Sequence, residues 1–215
     1  MFPNWTRVSE TLARHGVSVD PAALARAEPR AKFEIDEGKR IDRTTDEDRR
    51  VPYFESVLRY AGVDPSPATR AAFAELDDYH RAHNLWEHVP DDVEPALERL
   101  ASLGIRLVVV SNANGVLHAC FERVRLTRHF HTICDSHLEG VEKPDARFFR
   151  IALERSGADP ESTMHVGDLY HVDVVGARNA GLRAALIDPH DLYGSFECAR
   201  VATLAELVDL VERER

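Results

Sequence analysis

Apolar positions recur at helical spacing through the first 88 or so residues. Trp5, Val8, Leu12 and His15 fall on one helical face, and Gly16 closes the segment. Asp20-Pro21 supplies a cap residue and a first-turn proline for the next helix. Pro29 is expected to kink or divide that helix. The stretch from Asp36 to Arg50 mixes charge signs around Gly38 and reads as a helix end followed by an exposed loop. Helical periodicity resumes from Val51 to Tyr60 through Phe54, Val57 and Leu58, and Gly62 ends it. Asp64-Pro65-Ser66-Pro67 reads as a turn and a new helix start, with Phe73 and Leu76 on one face of a helix from Ala68 to about His83. Phe54, Phe73 and Trp86 are expected to pack inside this helical part.

From about residue 91 the pattern changes. Val93 to Leu103 is a helix closed by Gly104, and Ile105 to Val110 is an unbroken, β-branched-rich run of the kind buried on both faces of a parallel sheet. Further strands are expected at 132–134, 163–166 and 184–187. They alternate with helices at 115–124, 145–156 (ended by Gly157), 172–180 (ended by Gly181) and 203–211, the last with Thr203 as cap and Glu206 three residues on. Alternation of this length predicts an α/β fold with a doubly wound parallel sheet. The chain therefore divides into a helical domain, 1–88, and an α/β core domain, 89–215.

In a parallel sheet, ligands bind beyond the carboxyl ends of the strands. Three short motifs are delivered there. Ser111-Asn112 follows the strand ending at Val110 and precedes a helix whose N-terminus favours anions, although Ser-Asn is also an ordinary strand-to-helix turn. Lys143-Pro144-Asp145 places a cation beside a proline and a helix cap, where it can meet a phosphate or an aspartate, although a solvated surface lysine is the default for the residue type. Gly167-Asp168 follows a strand, and Asp173 begins the next helix. Two carboxylates at one edge suit a hard cation such as magnesium. Asp173 taken alone also fits a first-turn carboxylate favoured by the helix dipole.

A net charge of −10 excludes a non-specific nucleic-acid binder but leaves small phosphorylated ligands open. Lysine is scarce: Lys32, Lys39 and Lys143 are the full set, and one of them lies in a motif. Cys120, Cys134 and Cys198 have no metal-ladder spacing and read as reduced thiols of a cytoplasmic protein. No apolar run reaches the length of a membrane span, and the N-terminus lacks a signal-peptide pattern. His80, His83 and His88 form one histidine group and His129, His131 and His137 another. Neither has the cysteine or carboxylate spacing that would complete a zinc site, and His171 sits between the two aspartates.

The order Val108-Val109-Val110-Ser111-Asn112, Glu142-Lys143-Pro144-Asp145, Val166-Gly167-Asp168 with Asp173, and the helix tail Asp173 to Gly181 resembles the haloacid dehalogenase-like (HAD) hydrolase superfamily. The motifs cover about residues 91 to 190, and the helical part before them resembles that family's cap domain. The resemblance implies a magnesium-dependent phosphomonoester hydrolase acting through an aspartyl-phosphate on a small phosphorylated substrate. It assigns Ser111, Asn112 and Lys143 to the phosphate, Ser111 and Lys143 to catalysis, and Asp168 and Asp173 to the metal. Carbon–halogen hydrolysis is the alternative chemistry in the same superfamily. The substrate and the oligomeric state are not legible.

The family's first motif, a central strand ending in Asp-x-Asp, has no counterpart in these residues. Asp20 precedes Pro21 and a helix, and Asp91-Asp92 follows Pro90 and precedes a helix; neither follows a buried strand. Phe2-Pro3-Asn4-Trp5 resembles the stretch that follows that motif, so the expectation is a natural gene that starts upstream of Met1. The chain as given would then lack the nucleophile and be inactive alone. A non-catalytic binding or interaction protein is the alternative. Strands 105–110 and 163–166 are each expected to face a vacant slot.

Overall fold

The N-terminal helices are closed at their ends by side chains of their own sequence. The computed structural model describes residues 1–214. In the first of its two units, Met1–His88, α1 (Trp5–Arg14) starts where Asn4 accepts the Arg7 N–H at 3.0 Å. Asp20 caps α2 (Pro21–Ile35) by accepting the Ala22 N–H. A single turn, α3 (Gly38–Ile41), leads to α4 (Asp46–Tyr60), where Thr45 and Asp48 form a capping box. Ser66 and Thr69 form the same box for α5 (Pro67–His83), with Pro67 in the first turn. α2 packs on α4, and α1 packs on both α2 and α5. Leu12, Leu24, Ala31, Val57 and Ala72 are wholly buried between them.

Among the charged groups buried in this unit, Glu28 has both carboxylate oxygens in use. It accepts the Trp5 indole N–H at 3.0 Å and the Tyr53 hydroxyl at 3.1 Å, and it pairs with Lys32 Nζ at 2.6 Å. The chain ends of the unit are tied together by two backbone bonds between Phe2 and His88. Two expectations change here. Pro29 does not divide its helix: α2 runs through it as a single element. The proline removes one backbone bond, but the stripe Leu24, Ala27, Ala31 and Ile35 is buried on both sides of it and holds the helix together. The charged stretch is not all loop either. α4 begins at Asp46, because Thr45 caps it and Asp46, Glu47 and Asp48 meet the positive end of the helix dipole.

The second unit runs from Val89 onward. Its elements are α6 (Val93–Ser102), β1 (Val108–Ser111), α7 (Leu117–Arg123), β2 (Thr132–Asp135), the turn α8 (Ser136–Glu139), α9 (Ala146–Ser156), β3 (Met164–Gly167), a π-helical segment Tyr170–Val175 leading into α10 (Gly176–Asn179), β4 (Arg183–Ile187), β5 (Ala199–Val201) and α11 (Leu204–Arg213). All strand pairs are parallel. They form two sheets rather than one: β1 pairs with β2, and β3-β4-β5 stand in that order. Among the described residues, neither β1 nor β3 has a strand on its other side.

The division has a cost that burial makes visible. Val108, Val109 and Val110 read as a doubly buried strand, yet all three are only half-buried, as are Met164 and Val166 of β3. An apolar strand with one neighbour leaves an edge uncovered. Two helices nevertheless serve both sheets. On α9, Phe148 packs with Val108, Val110 and Cys134, while its neighbour Phe149 packs with Leu182 and Ala184. On α11, Leu204 and Val211 join Ile105 and Leu107 and also join Met164 and Val166. β5, which the sequence reading lacked, is three residues long and mostly exposed, so it carries no apolar pattern. Among the described residues, no helix is long and apolar enough to cross a membrane.

Candidate active site

The carboxyl ends of β1 and β3 carry the residues singled out above. Lys143 Nζ reaches Asp173 Oδ1 at 2.7 Å, with both side chains largely buried, so two motifs 30 residues apart share one contact. Asp173 Oδ1 also meets His165 Nε2 at 3.1 Å, and Oδ2 accepts the backbone N–H groups of Asp168 and Leu169, each at 3.0 Å. Both carboxylate oxygens are therefore doubly bonded. Burial alone would push the Asp173 carboxyl up; the adjacent Lys143 charge and the His165 bond outweigh burial and hold it well below the usual carboxylate range. Burial pushes His165 down, and the nearby Lys143 charge adds to this, so the ring is neutral and carries its proton on Nε2 to meet the carboxylate. Phe149 packs edge-on against that ring at 5.0 Å.

Two glycines make room for the cluster. A Cβ on Gly167 would overlap the Asp173 carboxyl, and a Cβ on Gly176 would stand 2.9 Å from Pro144 Cα. Lys143 is aimed by its own backbone. Asn112 Oδ1 accepts the Lys143 N–H at 2.7 Å, and Asn112 Nδ2 donates to the Lys143 carbonyl at 3.0 Å. Asn112 thus clamps the lysine, and its amide is not turned to a ligand. Asp145 caps α9 by accepting the Arg147 N–H, as its position predicts.

The helix after Ser111 departs from expectation as an anion site. The Gly115 and Leu117 N–H groups already donate to Asp135 Oδ2, and the Ala113 N–H donates to Ser136 Oγ. A protein carboxylate occupies the position foreseen for a phosphate. Asp135 ends β2 and is buried; its place directly after the apolar Ile133-Cys134 was the available signal. Ser111 stands half-buried at the end of β1, its hydroxyl 3.3 Å from the Asn112 carbonyl.

The implied magnesium can be tested against these donors. Asp173 offers no oxygen without giving up a bond it already makes. Among the described residues no group of three histidine, cysteine or acidic side chains could hold a metal ion. Magnesium keeps several waters and takes one or two carboxylates from a protein. Asp173 organises the cluster through its bonds to Lys143, His165 and the backbone of residues 168 and 169. His165 was missed because it lies inside an apolar strand and carries no motif. The other histidines pack locally: His80 against Trp86, His83 against Tyr79, and His171 edge-on to Tyr170 and Phe196.

The chain is 33% identical to the haloacid dehalogenase-like hydrolase domain-containing protein 3 of Xenopus laevis over 61% of its own length and 54% of the relative's. It is 35% identical to a glyceraldehyde 3-phosphate phosphatase of Methanopyrus kandleri over 60% and 55%. The chain thus spans about half the length of these curated relatives. In fold it is similar to the putative HAD-hydrolase YfnB of Bacillus subtilis, with a TM-score of 0.65 and 16% identity over 98% of this chain and 93% of that one. A family model for haloacid dehalogenase-like hydrolases matches residues 6–181, and the chain belongs to that family.

Proposed function

We propose that this chain is the greater part of a phosphomonoester hydrolase whose aspartate nucleophile arrives on a strand between β1 and β3, encoded upstream of Met1. The observation that carries this reading is the divided sheet: two edge strands, each with one neighbour, with Ser111 and Asp168 at their carboxyl ends and Lys143 held there by Asn112. Phosphatases among the relatives point to phosphate rather than halide as the leaving chemistry, on a small phosphorylated substrate. In this reading the Ser111 hydroxyl hydrogen-bonds a phosphoryl oxygen at the end of β1. Lys143, aimed by Asn112 and steadied by Asp173, neutralises charge between nucleophile and phosphate. Phosphoryl transfer needs little more from a protein than positioning and charge neutralisation.

Magnesium belongs to this reading only together with the incoming strand. Asp168 would supply one oxygen, and further carboxylates would have to come from the strand. The helical unit acts as the cap that selects the leaving group, and Cys120, Cys134 and Cys198 are thiols suited to a cytoplasmic setting.

The test is to extend the chain upstream in its reading frame and measure phosphate release from a panel of phosphomonoesters. The expected result is turnover that falls by about 10²-fold or more in Lys143→Ala. An upstream frame without a strand ending in Asp-x-Asp, or an extended protein without phosphatase activity, overturns the reading. The competing reading, a non-catalytic binding protein, draws on the same divided sheet and would gain from either result.

A further inference from the structure

We propose that the helical unit carries a binding site of its own, a pocket between α4 and α5 that takes a flat, uncharged aromatic molecule of about two fused rings. The cavity measures about 290 Å³ and is walled by Phe54, Phe73, Trp86, His80, Leu76 and Leu85. Dry apolar cavities of roughly 150 Å³ accept benzene, so a bicyclic ring is the matching size.

The shape of the guest follows from the walls. Phe54 and Phe73 stand 5.1 Å apart with planes tilted by 33°, Phe54 and Trp86 5.9 Å apart at 56°, and His80 meets Trp86 edge-on at 5.3 Å. These are the offset and edge geometries in which a further ring finds favourable contact. The sequence pattern expects all three large aromatic residues in the core. Phe54 is buried there, while Phe73 and Trp86 are left half-buried along the cavity. At its mouth stands Val51, an aliphatic side chain 54% exposed, beside exposed Ala74.

The lack of charge in the guest follows from the polar groups. Arg50 and Asp77 are paired with each other at 3.0 Å. The Thr69 hydroxyl is engaged in the capping box of α5. His80 Nδ1 accepts the Leu85 N–H at 3.1 Å, and burial, with the nearby Arg50 charge, pushes the ring down to about 4, so it is neutral. At the rim, Glu55 and Arg70 carry opposite signs, and the lining as a whole has no net charge to offer a ligand.

Indole is the probe, titrated into the full chain and followed by amide NMR shifts and calorimetry. The expected result is saturable one-to-one binding that shifts amides of residues 50–58 and 69–86. Ala74→Trp, which fills the mouth from an exposed helix position, should weaken it about tenfold or more with the melting temperature retained. Indole-3-acetate and tryptamine, of opposite charge, should bind no more tightly than indole. Absence of saturation, unchanged affinity in Ala74→Trp, or tighter binding of either charged analogue overturns the proposal. Should Ala74→Trp fail to fold, Phe73→Leu takes its place: weaker indole binding supports the site, and unchanged binding overturns it.

Discussion

The two units meet the same demand, covering apolar surface while satisfying the backbone, by different means. The helical unit does so within itself. Each long helix bonds its own backbone, caps its own start, and buries one stripe against the next helix. The α/β unit cannot, because a strand borrows its backbone partners from neighbours. β1 and β3 each have one neighbour, and their valines and methionine stay half-exposed despite a sequence suited to full burial. A helix can therefore satisfy its backbone without a neighbour, whereas a strand with one neighbour shows it in its exposure.

The largest test of this contrast is Asp173→Ala. It leaves Lys143 and His165 without their buried partner and should destabilise the α/β unit by about 3–5 kcal/mol. Both tryptophans, Trp5 and Trp86, lie in the helical unit, so their fluorescence melt should stay in place while the far-UV circular dichroism transition of the strands moves down. A parallel shift of both signals would show that the two units do not respond separately. Leu12→Ala is the converse. It opens a cavity at a wholly buried site, should cost about 3 kcal/mol, and should move the fluorescence melt first.

A third test uses pH. The folded value of His80 is depressed to about 4 from its ordinary 6.5, so the folded helical unit holds the neutral ring. Above 6.5 its contribution is complete. As pH falls from 6.5 to 4 the unfolded chain gains a proton that the folded unit refuses, and stability is lost; below 4 the loss from this group ends. The fluorescence melting temperature should fall through that window, and His80→Gln should flatten the dependence. The smallest effect is at a helix start: Thr45→Ala removes one side of a capping box and should cost about 1 kcal/mol, read from the same melt.

Local signals carried most of the fold and part of the site. The run Ile105 to Val110 announces a strand, and the glycines after α9 and α10 mark helix ends, because those signals sit within a few residues of what they describe. Pro29 is a poor guide to where α2 ends, since tertiary burial decides whether a helix tolerates a missing N–H. At the site, Lys143 and Asp173 were legible as candidates, but their bond joins residues 30 apart and appears only on folding. His165 hides in an apolar strand, and the Asn112 side-chain clamp on the Lys143 backbone joins residues 31 apart that meet only on folding.

The adjacent Phe148 and Phe149 have a further consequence. One residue along a helix turns the side chain by about 100°, enough to seat one ring on each half-sheet. This rigid rod, with α11 as the second helix packed on both halves, therefore bridges the two edges through side chains. A strand entering there would find its neighbours already held apart at a defined distance. The ordering cost of the two flanking strands is met when the unit folds, and what is left for association is the alignment of one extended segment.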